Sequence, residues 1–242
     1  MGDKVVKSDA AWHRQPAVAT FTLVVGNKNY SSWSLRPWLA MRQAGIAFEE
    51  IVIPLYQAES KAALLAHSPA GKVPVLKHGD RTVWDTLAIM EYLAETFPAA
   101  GLWPQDAAAR ALARSISAEM HAGFAALRRG MPMNLRDQPP RPQGSDAVAA
   151  DIERITAIWR DCRTRFGAGA SFLFGAFSAA DAMYAPVATR FRTYGVALDP
   201  VCQAYADALL DLPAFLEWQR AARQEPWVIT RYANPARPAS DA

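Results

Sequence analysis

Between Phe21 and Phe97 the apolar pattern switches from strand to helix and back, and beyond Gln105 it never returns to a strand. Such a chain is confined to a small mixed sheet followed by an all-helical region. FTLVV at 21–25 is a short β-branched run broken by Gly26, which reads as a buried first strand. SWSLRPWLAMRQAG then sets Leu35, Trp38 and Leu39 on neighbouring turns and stops at Gly45, a helix closed by glycine. Phe48 to Ile53 alternates up to Pro54 as a second strand, and Ser60 to His67 fits a short helix. Val73 to Leu76 and Arg81 to Trp84, joined through Gly79-Asp80, predict an antiparallel hairpin. Thr86 to Phe97 resumes helical spacing, with Leu87 and Leu93 opposite Glu91 and Glu95.

The order βαβαββα over residues 20–98 predicts an α/β unit with helices on both faces of its sheet. Residues 99–104 form a punctuated linker, and 105–234 carry alanine-rich helical patterns: to about Arg129, then about Ser145 to Phe166, Ala179 to Arg192, Pro200 to Leu210 and Pro213 to Arg223. Residues 1–19 lack a continuous apolar stretch and read as a flexible leader, not a secretory signal, with 235–242 as a flexible tail.

Composition narrows the function classes. A hydrophobic fraction of 51% with 20% charged residues is that of a folded globular chain, and no apolar run approaches the roughly 20 residues of a membrane span. Cys162 and Cys202 stand alone, without CxxC or a His/Cys cluster at metal spacing, so neither a disulfide framework nor a metal site is expected. The net charge of +3 is spread along the chain, a poor footprint for nucleic acid but compatible with a small anionic ligand.

Three places carry candidate chemistry. Ser31 and Ser32 follow the first strand, where a loop feeding a helix N-terminus offers free amides and positive potential. A hydroxyl there can donate to a thiolate and hold it ionised, although serines before a helix also serve simply as caps. Since proline is tolerated only in a first helical turn, Pro37 suggests that Ser34 is the N-cap. Lys72-Val73-Pro74 offers a cis-proline that would turn Val73's backbone toward an extended peptide, or else an ordinary proline at a strand start. Asp85-Thr86 places a carboxylate and a hydroxyl at a helix start, suited to an α-ammonium and an α-carboxylate, and equally to capping. In the second region, Ser178-x-x-Asp181 is a capping box of structural kind.

Taken in order, SSWSLR, SPAGKVPVL and DTLAIMEYL resemble the soluble glutathione transferases, particularly the serine-type, zeta-like branch related to maleylacetoacetate isomerase. The resemblance implies a thioredoxin-like domain that binds glutathione, a helical domain that shapes a second pocket, no metal, a cytoplasmic homodimer and a detoxifying role. By position it implies that Ser31, with Ser32 as neighbour, activates the glutathione thiol, and that Val73 beside cis-Pro74 holds the cysteinyl backbone. Lys72 would face the glycyl carboxylate, and Asp85 with Thr86 the γ-glutamyl end. Asp-Thr replaces the family's usual Glu or Gln followed by Ser, and Trp33 stands where the zeta pattern has cysteine. Lacking that cysteine, the chain must take its thiol from glutathione. The implied activity is conjugation of glutathione to a hydrophobic electrophile. The alternatives are glutathione-dependent cis-trans isomerisation of a maleyl-type diacid, and a non-catalytic binding module.

Overall fold

The computed structural model describes residues 20–137 and 145–233; the expected leader and tail lie outside the described residues. Its first part runs β1 (Phe21–Val25), α1 (Ser32–Gln43), β2 (Phe48–Val52), α2 (Ser60–Leu65), β3 (Val75–His78), β4 (Arg81–Trp84) and α3 (Thr86–Thr96), the predicted order. The sheet is ordered β2-β1-β3-β4, with β1 parallel to β2 and antiparallel to β3. A parallel pair requires a crossover, which α1 supplies, whereas β3 and β4 close directly through Gly79 at φ +60°. β3 starts after Pro74 and not at Val73, leaving Val73 outside the strand ladder.

The N-cap of α1 is Ser31, not Ser34, and Pro37 is therefore the sixth helical residue. A proline so placed removes the hydrogen bond to the carbonyl four residues back, that of Trp33. That carbonyl instead accepts from the Thr86 hydroxyl at 3.2 Å, so the start of α3 makes the misplaced proline tolerable. The far end of α1 closes on Gly45 at φ +66°, where Ile46 N–H donates to Met41 O and Gly45 N–H to Arg42 O. Those two bonds form a Schellman motif, which needs the left-handed residue glycine supplies.

After a 3-10 turn at Pro98–Ala100 come α4 (Ala107–Ala122), α5 (Ala125–Gly130), α6 (Asp146–Phe166), α7 (Ala179–Thr193), α8 (Pro200–Leu210), α9 (Pro213–Gln224) and α10 (Thr230–Ala233). The single helix expected up to Arg129 is broken in two. A side chain on Gly123 would stand 2.8 Å from Glu119 O, and Phe124 turns to φ +59°, so the chain bends between α4 and α5. The short α10 carries no pattern that the sequence reading picked out.

Helix α7 is the axle of the molecule. Every residue from Ala179 to Phe191 is buried, and α7 packs on α1, α4 and α8. Its start carries the expected capping box, closed by Ser178 and Asp181. Trp38, Trp159 and Trp218 are fully buried, each side chain of this kind contributing on the order of 3 kcal/mol of apolar burial. Among the described residues no helix is long and apolar enough to cross a membrane. Cys162 and Cys202 are free thiols, both pushed up to about 12 by burial first.

Candidate functional site

A cleft of about 790 Å³ opens where the sheet unit meets the helices, within the roughly 300–1,000 Å³ that small-molecule sites occupy. Ser31, Ser32, Trp33, Lys72 and Val73 form one wall; Arg128, Pro132, Met133, Arg190 and Tyr232 form the other. Of the sequence candidates, Ser31, Ser32, Lys72 and Val73 thus share one cavity. Pro74 is buried beside it, and the Val73-Pro74 peptide is cis. Asp85 and Thr86 stand at the N-terminus of α3, beside Trp33 and off the cleft wall.

Ser31 sits in a hydroxyl chain. Its Oγ accepts from Ser34 N–H at 3.3 Å and donates to Ser34 Oγ at 2.7 Å, and Ser34 Oγ also accepts from Gly26 N–H at 3.0 Å. The Gly26 N–H therefore polarises Ser34, and Ser34 polarises Ser31, at the start of α1 where the helix leaves positive potential. Both hydroxyls can rotate, so Ser31 is able to turn its proton toward an anion in the cleft while accepting one from Ser34. Ser34, read from the sequence as a cap alone, is the second member of this relay.

Asp85 adopts φ +72° and caps α3, accepting from Leu87 N–H at 3.1 Å. Its carboxylate also lies 3.5 Å from His121 Nε2, with half of the side chain exposed. The Thr86 hydroxyl is committed to Trp33 O, so this side chain braces α1 and leaves ligand binding at this helix start to its neighbours. Lys72 is exposed on the rim of the cleft.

The opposite wall is cationic, a feature that the sequence reading did not place. Arg128 donates Nε to Gly123 O at 2.9 Å and Nη2 to Met120 O, closing the carbonyl end of α4. Arg190 donates Nε to Met131 O at 2.9 Å and Nη1 to Pro186 O at 3.1 Å. One nitrogen of each, Arg128 Nη1 and Arg190 Nη2, is left without a protein partner among the described residues, on side chains that line the cleft. Burial first, then the charge of Arg128, presses the Arg190 guanidinium down to about 9. Behind them Arg36 is wholly buried, bound through Nε to Met183 O and stacked 4.5 Å from the Trp33 ring centroid. Its Nη1 and Nη2 have no hydrogen-bond partner, and burial, then Arg128 and Arg190, lower its pKa. Arg128 stands 4.8 Å from the same ring. The guanidiniums are gathered by the bend after α4 and by α7, elements whose meeting no local pattern announces.

A β2-β1-β3-β4 sheet with α1 as its parallel crossover, a cis peptide before Pro74 at the start of β3 and a helical wall across the cleft define a protein of thioredoxin-like build with a helical domain attached. Comparison with known families agrees: residues 30–96 match the glutathione S-transferase N-terminal domain and residues 145–221 the C-terminal domain. The chain belongs to the glutathione transferase family. It is 28% identical over 188 residues to a probable maleylacetoacetate isomerase of Caenorhabditis elegans, covering 76% of this chain and 86% of the worm protein. Glutathione S-transferase 1 of Dianthus caryophyllus is 42% identical over 83 residues, covering 34% of this chain and 38% of the plant protein. Among solved structures, a bacterial maleyl pyruvate isomerase described as zeta class superposes with TM-score 0.65 at 22% identity, over 86% of this chain and all of that one. A glutathione transferase homologue from Burkholderia with bound glutathione gives TM-score 0.64 at 23% identity, over 84% of this chain and 98% of its own.

Proposed function

We propose that this chain is a glutathione-dependent enzyme that adds the glutathione thiolate to an electrophilic carbon of a substrate with an apolar body and at least one carboxylate. The observation that carries the reading is the pairing of walls in one cleft. A polarised serine at a helix start shares the cleft with Arg190, which is buried, and Arg128, which is half-buried, each with a guanidinium nitrogen to spare. Ser31 would hold the thiolate by donating its hydroxyl proton, lowering the thiol pKa, with Ser34 donating to Ser31 in turn. Ser32 lines the same wall as the nearest substitute.

Val73, outside the strand ladder, would pair its backbone with the cysteinyl part of glutathione, Lys72 would meet the glycyl carboxylate, and Asp85 the γ-glutamyl ammonium. Thr86 would contribute through its backbone at the α3 N-terminus. Pro132 and Met133 supply the apolar contacts that a hydrophobic electrophile requires, and Arg128 and Arg190 the demand that it also bear negative charge. A cytoplasmic homodimer and a detoxifying role belong to the same proposal on the strength of the family resemblance. The family's N- and C-terminal domains would then divide the labour between glutathione and the second substrate, as the sequence boundaries suggest.

A second reading is favoured by the same arginines: cis-trans isomerisation of a maleyl-type diacid. The thiolate would add to the double bond, the resulting single bond would rotate, and the C–S bond would break to return glutathione. Relatives named maleylacetoacetate isomerase, in Caenorhabditis elegans and in rat at 28% identity, support it. Glutathione bookkeeping separates the two readings, because conjugation consumes one glutathione per turnover and isomerisation none. With either substrate, Ser31→Ala should lower kcat by roughly 10²-fold. Turnover at the wild-type rate in Ser31→Ala and in Ser32→Ala would remove both serines from the chemistry. Arg190→Met should raise KM for a diacid by about tenfold, with a smaller effect on an uncharged chloronitrobenzene.

A further inference from the structure

The turn that delivers Ser31 is held from the far end of the chain. Residues 27–30 join β1 to α1, and the amides of Tyr30 and Ser31 donate to Asn27 O at 3.1 and 2.8 Å. Glu225, which closes α9, sends its carboxylate into this turn. Lys28 N–H donates to Oε1 at 2.6 Å and Asn29 N–H to Oε2 at 3.0 Å. The Trp218 indole on α9 donates to Lys28 O at 2.9 Å. Arg136 closes the circuit, its Nη1 donating to Glu225 O at 2.8 Å and its Nη2 to the Tyr30 hydroxyl at 3.3 Å. Glu225 is only 9% exposed, and burial raises its pKa against the two amide bonds and the charges of Lys28 and Arg136. Lys28 is itself engaged with Glu50 at 2.6 Å.

We infer that Glu225 is a positioning residue for the thiolate chemistry, its two oxygens setting the place at which the Ser31 hydroxyl meets the sulfur. The inference rests on the assignment of Ser31 made above. Two N–H groups need two acceptors, and a carboxylate has both. A glutamine would turn an NH2 toward one of the amides, donor against donor, and force the turn to move. Ser31 N–H is tied to Asn27 O in the same turn, so that movement reaches the serine through one stiff hydrogen-bonded loop. Misplacements of about 1 Å in such sites cost on the order of 10²-fold in rate.

The full-length protein with saturating glutathione gives the test, read as thiolate absorbance of bound glutathione against pH alongside turnover of a chloronitrobenzene. Glu225→Gln should raise the ionisation midpoint of the bound thiol by about half to one pH unit and lower kcat about tenfold, with KM for glutathione changing much less. A role confined to stability would leave that midpoint where it is. An unshifted midpoint in folded Glu225→Gln, while Ser31→Ala shifts it, overturns the inference and leaves the serine assignment standing. An unshifted midpoint in Ser31→Ala overturns the serine assignment and the inference with it. Should Glu225→Gln not fold, Arg136→Met carries the same test, since it keeps the carboxylate but frees the segment bearing it. A raised midpoint there supports the inference and an unchanged one refutes it.

Discussion

The place of Ser31 in the cleft was legible because it is set locally: strand, loop, hydroxyl and helix start follow one another within a dozen residues. Pro37 points to Ser34 as the cap only while its own helix is considered; the cap is Ser31. The group that compensates for the proline, the Thr86 hydroxyl, lies 53 residues beyond Trp33, whose carbonyl it satisfies. Thr86 was legible as a residue that matters, and its side chain proves to serve α1. Thr86→Val, nearly isosteric, should therefore destabilise the protein by about 1–3 kcal/mol through the orphaned Trp33 carbonyl. Urea unfolding would measure it, and unchanged stability would dismiss the brace. No local pattern brings Arg128 and Arg190 to the cleft or Glu225 to the turn at Lys28-Asn29, because each reaches its neighbours across long sequence separations through a bend or a packed helix.

Elements fared better than their edges. The order βαβαββα follows from periodicity and turn chemistry, as does the helical second half, since both depend on neighbours a few residues apart. Edges depend on what caps them. β3 begins after Pro74, and the helix after the linker breaks at Gly123-Phe124, where the chain passes so close to Glu119 O that only glycine fits and Phe124 turns to positive φ. At the end of α1 the expected glycine closes the helix. Gly45→Ala forces a side chain into φ +66° with no compensating contact nearby, at a cost of about 1 kcal/mol. That should appear in thermal melting as a loss of a few degrees, and an unaltered Tm would show that the turn relaxes freely.

At the scale of the whole molecule, α7 and its buried box hold the two halves together. Asp181 is fully buried and accepts from Leu173 N–H, Ser178 N–H, Ser178 Oγ and Tyr205 OH. Asp181→Ala strands those donors and should cost about 3 kcal/mol or more. Burial pushes the Asp181 carboxyl up to about 6, above its ordinary 3.8, in spite of these bonds. The folded chain therefore binds this proton more tightly than the unfolded chain does. The associated stability is complete below about pH 4 and is lost as pH rises through 6. Denaturant unfolding of wild type and Asp181→Asn across that window would show the slope in the first and not in the second; parallel curves would refute the assignment.

The grip of Glu225 on Lys28 and Asn29 also has a meaning in time. A growing polypeptide presents its first strand and helix early, and early domains commonly fold as they emerge. Here the serine turn would wait, shaped but unclamped, until synthesis has passed Glu225.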